Sequence, residues 1–200
     1  MARHIRHRFN KGFALAALAI VATPAFAQTS TQSAASEAEK ISTVSAFNQI
    51  CYARVPDVQS IGEMASKFAW HNLDKADLSA FATGGKLDVL NGWDAQIGER
   101  IYRVGVSQGP VTDNQLETFP DFKEGLTTSC TFVLDGLDQP AVVAGDMQVL
   151  AGKEPVSKDV PEGDLKTTLW AGGNDDVKVF LISKSGGENG GLLNVTVLTK

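Results

Sequence analysis

Gly105-Val106-Ser107-Gln108-Gly109 spells G-x-S-x-G, the pattern that presents a serine nucleophile when it sits on a sharp strand-to-helix turn. That chemistry needs a histidine base and an orienting acid later in the chain, and no histidine follows Ser107. Pro110 also disfavours a helical conformation at Gly109. The letters are read instead as a strand leaving through a Gly-rich turn. His71, between Trp70 and Asn72, is the only histidine after residue 27. As a general base it would need a nucleophile and an acid, for which Asp74 and Asp77 are near in sequence alone. A single imidazole builds no His-rich zinc site. Asn174-Asp175-Asp176 clusters oxygen ligands after Gly172-Gly173, but the spacing fits no EF-hand loop and a hairpin turn explains it equally. No cofactor motif and no metal-ligand set is expected. Asn194-Val195-Thr196 has the letters of a glycosylation acceptor, here inside a strand.

Cys51 and Cys130 are the only cysteines. An even count in an exported chain predicts a disulfide, closing a loop of about 80 residues and contributing roughly 4–5 kcal/mol in the chain-entropy model. With no C-x-x-C pair, a redox role is not favoured.

The compartment comes from residues 1–27. Arg3, Arg6, Arg8 and Lys11 form a positive head, residues 13–22 an apolar run too short for a membrane anchor, and Ala25-Phe26-Ala27 a small-x-small cleavage site. This predicts a signal peptide cut after Ala27, a periplasmic or secreted protein, and a mature chain starting at Gln28. Four of the 18 basic residues and none of the 23 acidic ones fall in that segment, leaving 14 positive and 23 negative groups, a net −9. An acidic surface argues against nucleic acid and anionic lipid as partners. No later apolar run reaches membrane-spanning length.

Residues 28–36 are Ser/Thr/Gln/Ala-rich and predict a disordered leader. One domain of residues 37–200 follows. Ser36 and Glu39 have capping-box spacing, and Ile41, Val44, Phe47 and Cys51 recur at helical spacing, which predicts a helix over 37–54 ended by Pro56. Asp57 is placed to cap a second helix, 57–69, with Ile61, Ala65 and Phe68 inward. In the ambiguous stretch 70–85, Asp77 could cap a turn holding Leu78 and Phe81. Alternation predicts strands at 86–91, 99–107 and 127–134, with Tyr102, Val104 and Val106 on one face and Cys130, Phe132 and Leu134 on another. Asp138 is read as the cap of a helix to Ala151 that buries Val143, Met147 and Leu150. Strands at 167–171, 177–184 and 192–199 finish the chain, the last two as a hairpin.

The fold class is therefore α+β: two N-terminal helices, then a mainly antiparallel sheet of about five strands with one inserted helix, in β-β-α-β-β-β order. That order resembles a profilin-like or PAS-like sheet, which implies no function. Trp70, Trp93 and Trp170 are read as core, and Arg103 as exposed on the face opposite Tyr102. Two connections are long, 108–126 and 152–166. In the first, Phe119 and Phe122 flank Pro120, and they either plug the loop onto the core or await a partner.

Phe47-x3-Cys51, Pro56, Trp70 and Cys130-Thr131-Phe132 together resemble a family of small uncharacterised exported proteins of Gram-negative bacteria. The resemblance spans residues 41–200 and implies a location and the disulfide, with no catalytic residues. The functional expectation is a non-enzymatic binding or accessory module of the cell envelope, its partner an envelope protein or cell-wall component. The alternative is a small periplasmic hydrolase using an Asp/Glu pair not located by sequence.

Overall fold

Eight antiparallel strands make one sheet in the order β1-β2-β3-β4-β8-β7-β6-β5. The computed structural model describes residues 41–187 and 190–200, so the expected signal peptide, the expected leader and the expected Ser36–Glu39 capping box lie outside the described residues. The strands are β1 His71–Asn72, β2 Val89–Ile97, β3 Arg100–Pro110, β4 Leu126–Val133, β5 Ser157–Glu162, β6 Leu165–Gly173, β7 Val177–Gly186 and β8 Gly191–Thr199. The helices are α1 Thr43–Phe47, α2 Val58–Lys67, α3 Lys75–Leu78, α4 Asp113–Thr118 and α5 Pro140–Ala151. The α+β class with a largely antiparallel sheet stands, but eight strands replace the expected five, and three helices, α3, α4 and α5, lie between strands where one was expected.

The extra strands are those with weak local signals. β2 replaces the expected 86–91 and runs through Asn91, Gly92, Asp94 and Gln96, all poor strand formers held by pairing with β3. β5 lies in the connection expected to be a loop at 152–166. It has a register shift between Ser157 and Val160, and it carries Pro161, as an edge strand tolerates.

Alternation divides the sheet into two faces. Tyr102, Val104 and Val106 of β3, Cys130 and Phe132 of β4, Leu193, Val195 and Val197 of β8, Leu181 of β7 and Trp170 of β6 form the main core. α1, α2 and α5 pack there. α1 begins at Ser42, whose side chain accepts from the Ser45 N–H at 3.1 Å. It continues as one wide π turn, Asn48–Tyr52, so that the adjacent Ile50 and Cys51 are both buried. Cys51 is bonded to Cys130 with the Cα atoms 5.4 Å apart, which pins that turn to the middle of the sheet.

Asp57 caps α2 as expected, and Ile61 and Ala65 point inward. Phe68 does not. The helix ends at Lys67, Ala69 turns the chain at φ 50°, and Phe68 is 60% exposed, stacked on Trp70. In the next segment the cap of α3 is Asp74, not Asp77, whose own N–H donates to the Asp74 carboxylate.

The opposite face carries two coverings. Phe81 packs directly against Gly105, which pairs with Gly92 across β2 and β3. Phe122, Val111 and Leu198 form a small second core with Leu116, Phe119 and Phe180 around it.

Candidate functional site

The serine motif is structural. Gly105, Ser107 and Gly109 lie along β3 and make no turn. Gly105 leaves room for Phe81, and Gly109 lies against the Lys86 carbonyl. Ser107 is buried, with Thr83 Oγ1 its hydroxyl partner at 3.4 Å. His71 is exposed on the two-residue edge strand β1. Asn174 accepts from the Asp176 and Val177 N–H groups, both at 2.9 Å, so the Asn-Asp-Asp cluster is a turn between β6 and β7. The Asn194 amide is consumed by Ser129 and Thr131, both at 2.8 Å. Phe122 is buried and Phe119 half-buried against Phe180 at 5.6 Å, so both rings plug their loop onto the sheet. Trp93 and Trp170 are core, whereas Trp70 is only half-buried. Arg103 is exposed, 3.3 Å from Asp77 and 3.6 Å from Asp94.

A charged cluster was missed by sequence reasoning. Asp138 caps nothing; α5 starts from Gln139, without a side-chain cap. The Asp138 carboxylate instead accepts from Arg100 at 2.9 and 2.7 Å and from the Thr43 hydroxyl at 2.6 Å. Arg100 also donates to both carboxylate oxygens of Asp135, from Nε at 2.7 Å and from Nη2. Its guanidinium lies 4.8 Å from the Tyr102 ring centroid. These bonds raise the Arg100 pKa above its ordinary value and hold the Asp135 carboxyl below the usual carboxylate range. Burial pushes the Tyr102 phenol up. The signal was parity: Arg100 shares the inward side of β3 with Tyr102, and a cation on a core-facing position demands counter-ions.

Beside this cluster lies an open groove of about 660 Å³ between α5 and the β5–β7 end of the sheet. α5 is apolar on nearly every side. Val143 and Met147 fill the core, Val149 is 81% exposed, and the side over the groove is Ala141, Ala144, Gly145 and Gln148. Those small side chains leave the sheet beneath uncovered. The floor is polar where the core pattern would place apolar residues: Lys166 and Thr168 share the Trp170 side of β6, and Ser183 and Ser185 the Leu181 side of β7. Lys166 pairs with Ser185 and Thr168 with Ser183 across the two strands. Glu154, Pro155, Lys158 and Asp159 form the other wall. Gln148 accepts from the Trp170 indole N–H at 3.2 Å and donates to the Lys153 carbonyl at 3.0 Å, which closes the far end.

The groove offers hydroxyls, the ammonium groups of Lys158, Lys166 and Lys184, and carboxylates to a small polar ligand. Among the described residues no group of three or more His, Cys, Asp or Glu could hold a metal ion, and no helix is long and apolar enough to cross a membrane. No protein-family model, curated protein or solved structure matches the chain.

Proposed function

We propose that this chain is an exported, disulfide-stapled binding module of the bacterial cell envelope that works without catalysis, and that the groove beneath α5 holds its ligand. The observation that carries this reading is the polar floor. Lys166, Thr168, Ser183 and Ser185 stand on the core-facing side of the sheet, where burying them under an apolar helix would be costly. The small residues of α5 keep the space above them open. A sheet built only for stability would place apolar side chains there and close the gap.

The hydrolase alternative finds less support. The carboxylate pair beside the groove, Asp135 and Asp138, is tied on both members to Arg100. That tie holds Asp135 down, whereas a general acid at neutral pH needs a carboxyl pushed up.

The test uses a groove-filling variant. A Cβ added at Gly145 meets nothing within 4 Å, so Gly145→Leu places a side chain in the groove without a backbone clash. The purified protein is equilibrated with the small-molecule fraction of a bacterial envelope extract and examined by native mass spectrometry. A bound species on the native chain that is lost from Gly145→Leu, at unchanged melting temperature, supports the groove. Equal retention by the variant, or no bound species at all, overturns it.

A further inference from the structure

We infer that the groove takes a small zwitterion of the amino-acid or short-peptide class, its carboxylate at the N-terminal end of α5 and its ammonium toward Asp159 and Glu154. This rests on the groove being the binding site, and it goes further by fixing the ligand's charge pattern and direction.

The first observation is Ser183. It is 8% exposed, lines the groove, and its hydroxyl has no hydrogen-bond partner among the described residues. The hydroxyl oxygen is not sealed from solvent, the buried unpaired side-chain polar atom among the described residues being the Trp70 indole nitrogen, and the side it opens onto is the groove. The second is the end of α5 above Lys166 and Ser185. Pro140 occupies the first helical position and Gln139 gives no side-chain cap. The Val142 and Val143 N–H groups both turn back to the Gln139 carbonyl, at 3.0 and 3.1 Å. The Ala141 N–H is then the donor left at the start of a twelve-residue helix, on a residue that lines the groove. Lys166 stands at this end without a carboxylate partner among the described residues. The Asp138 carboxylate is also close, but Arg100 and Thr43 occupy it. A helix N-terminus, a free ammonium and an unpaired hydroxyl opening onto the groove form a receptor for a carboxylate.

The groove is not uniformly basic. Asp159 is held beside the floor by its own N–H, which donates to Thr168 Oγ1 at 3.1 Å. Glu154 lies toward the Gln148–Trp170 end. Neither is ion-paired among the described residues. Lys158 on the same wall offsets one of them and leaves the wall net negative, so a plain anion would meet it unfavourably, whereas an ammonium on the same ligand would be matched. A volume of about 660 Å³ leaves room for a dipeptide.

The experiment is a titration of the intact protein, followed by amide chemical shifts, with three probes: L-alanyl-L-alanine, N-acetyl-L-alanine and L-alaninamide. The dipeptide should bind at least about tenfold tighter than either probe bearing a single charge, one charge-assisted contact being lost in each. Lys166→Gln should weaken the dipeptide and the acetylated probe about tenfold and leave the amide unchanged. Asp159→Asn, which keeps a side chain tolerant of its φ of 51°, should weaken the dipeptide and the amide alone. If N-acetyl-L-alanine binds as tightly as the dipeptide, the site is a simple anion site and the zwitterion is overturned. If none of the probes binds while an extract ligand is still lost from Gly145→Leu, the zwitterion fails and the groove stands. If no extract ligand depends on Gly145, both fail.

Discussion

Arg100 grips Asp138 with two donors, Nη1 to Oδ1 at 2.9 Å and Nη2 to Oδ2 at 2.7 Å, and so ties the start of β3 to the segment that launches α5. Asp135 holds the same guanidinium from the end of β4, and Thr43 brings in the first turn of α1. Three parts of the chain meet on one cation. Replacing it leaves two mostly buried carboxylates unpaired. Arg100→Met should cost about 2–3 kcal/mol, the low side for a buried pair because the arginine side chain stays 21% exposed. Urea unfolding at neutral pH measures this, and a loss below about 0.5 kcal/mol would show the cluster to be ornamental to stability.

The same cluster sets an acid limit. Asp135 has its folded-state pKa depressed by Arg100, so the unfolded chain takes up that proton first as pH falls. The stability it lends is complete above the ordinary aspartate value, near ~3.9, and is lost as pH falls through the depressed folded value. Unfolding free energies at neutral pH and in that acid window should differ less in Arg100→Met than in the native chain. An identical acid loss in both would refute the assignment.

The disulfide is expected to matter as much as a large core side chain. Cys51 lies in the π turn and Cys130 at the sheet centre, 79 residues apart. Cys51→Ala or Cys130→Ala should each cost about 2–5 kcal/mol, and the two together little more than one alone. Thiol labelling of denatured, unreduced protein should find no free thiol.

Phe119 and Phe122 should separate cleanly. Phe122 is buried in the second core, and Phe122→Ala should cost about 3–4 kcal/mol. Phe119 is half-buried against Phe180 and Phe122, and its truncation should cost about 1–2 kcal/mol. Thermal melts of both variants decide whether this connection belongs to the core; melting points unchanged in both would reopen the loop as a free contact surface.

What was legible in the sequence followed alternation and helical spacing. Tyr102-Val104-Val106 and Cys130-Phe132 announced a buried face, and the disulfide followed from Cys51 and Cys130 on opposed burial faces. What was hidden depended on tertiary pairing. β2 carries Asn, Gly, Asp and Gln and is a strand because β3 lies beside it. β5 breaks alternation at a bulge. The groove was invisible for a related reason: Lys166, Thr168, Ser183 and Ser185 look like ordinary solvated strand positions until register puts them on the same side as Trp170 and Leu181. Asp138 was misread because a helix-capping residue and an ion-pair partner have the same letter.

The glycines of the serine-like motif offer the sharpest check on that reading. A Cβ built on Gly105 would overlap the Phe81 side chain at its Cβ, Cγ and Cδ1 atoms. Those atoms sit close to the Phe81 backbone, in a short 3-10 turn, and cannot swing away as a flexible chain end could. Gly105→Ala should therefore overpack the site and cost about 1–3 kcal/mol. Gly62, in α2, is the matched control: a Cβ there meets nothing within 4 Å, and Gly62→Ala should stabilise by about 0.5–1 kcal/mol. Phe81→Ala alone leaves a cavity over the sheet and should cost about 3–4 kcal/mol. Because the new methyl at 105 would enter that cavity, the double variant should be less damaged than the two losses added, by about 1–2 kcal/mol. Strict additivity, or a harmless Gly105→Ala, would mean that Phe81 does not rest on Gly105 and that the glycines of this motif need another explanation.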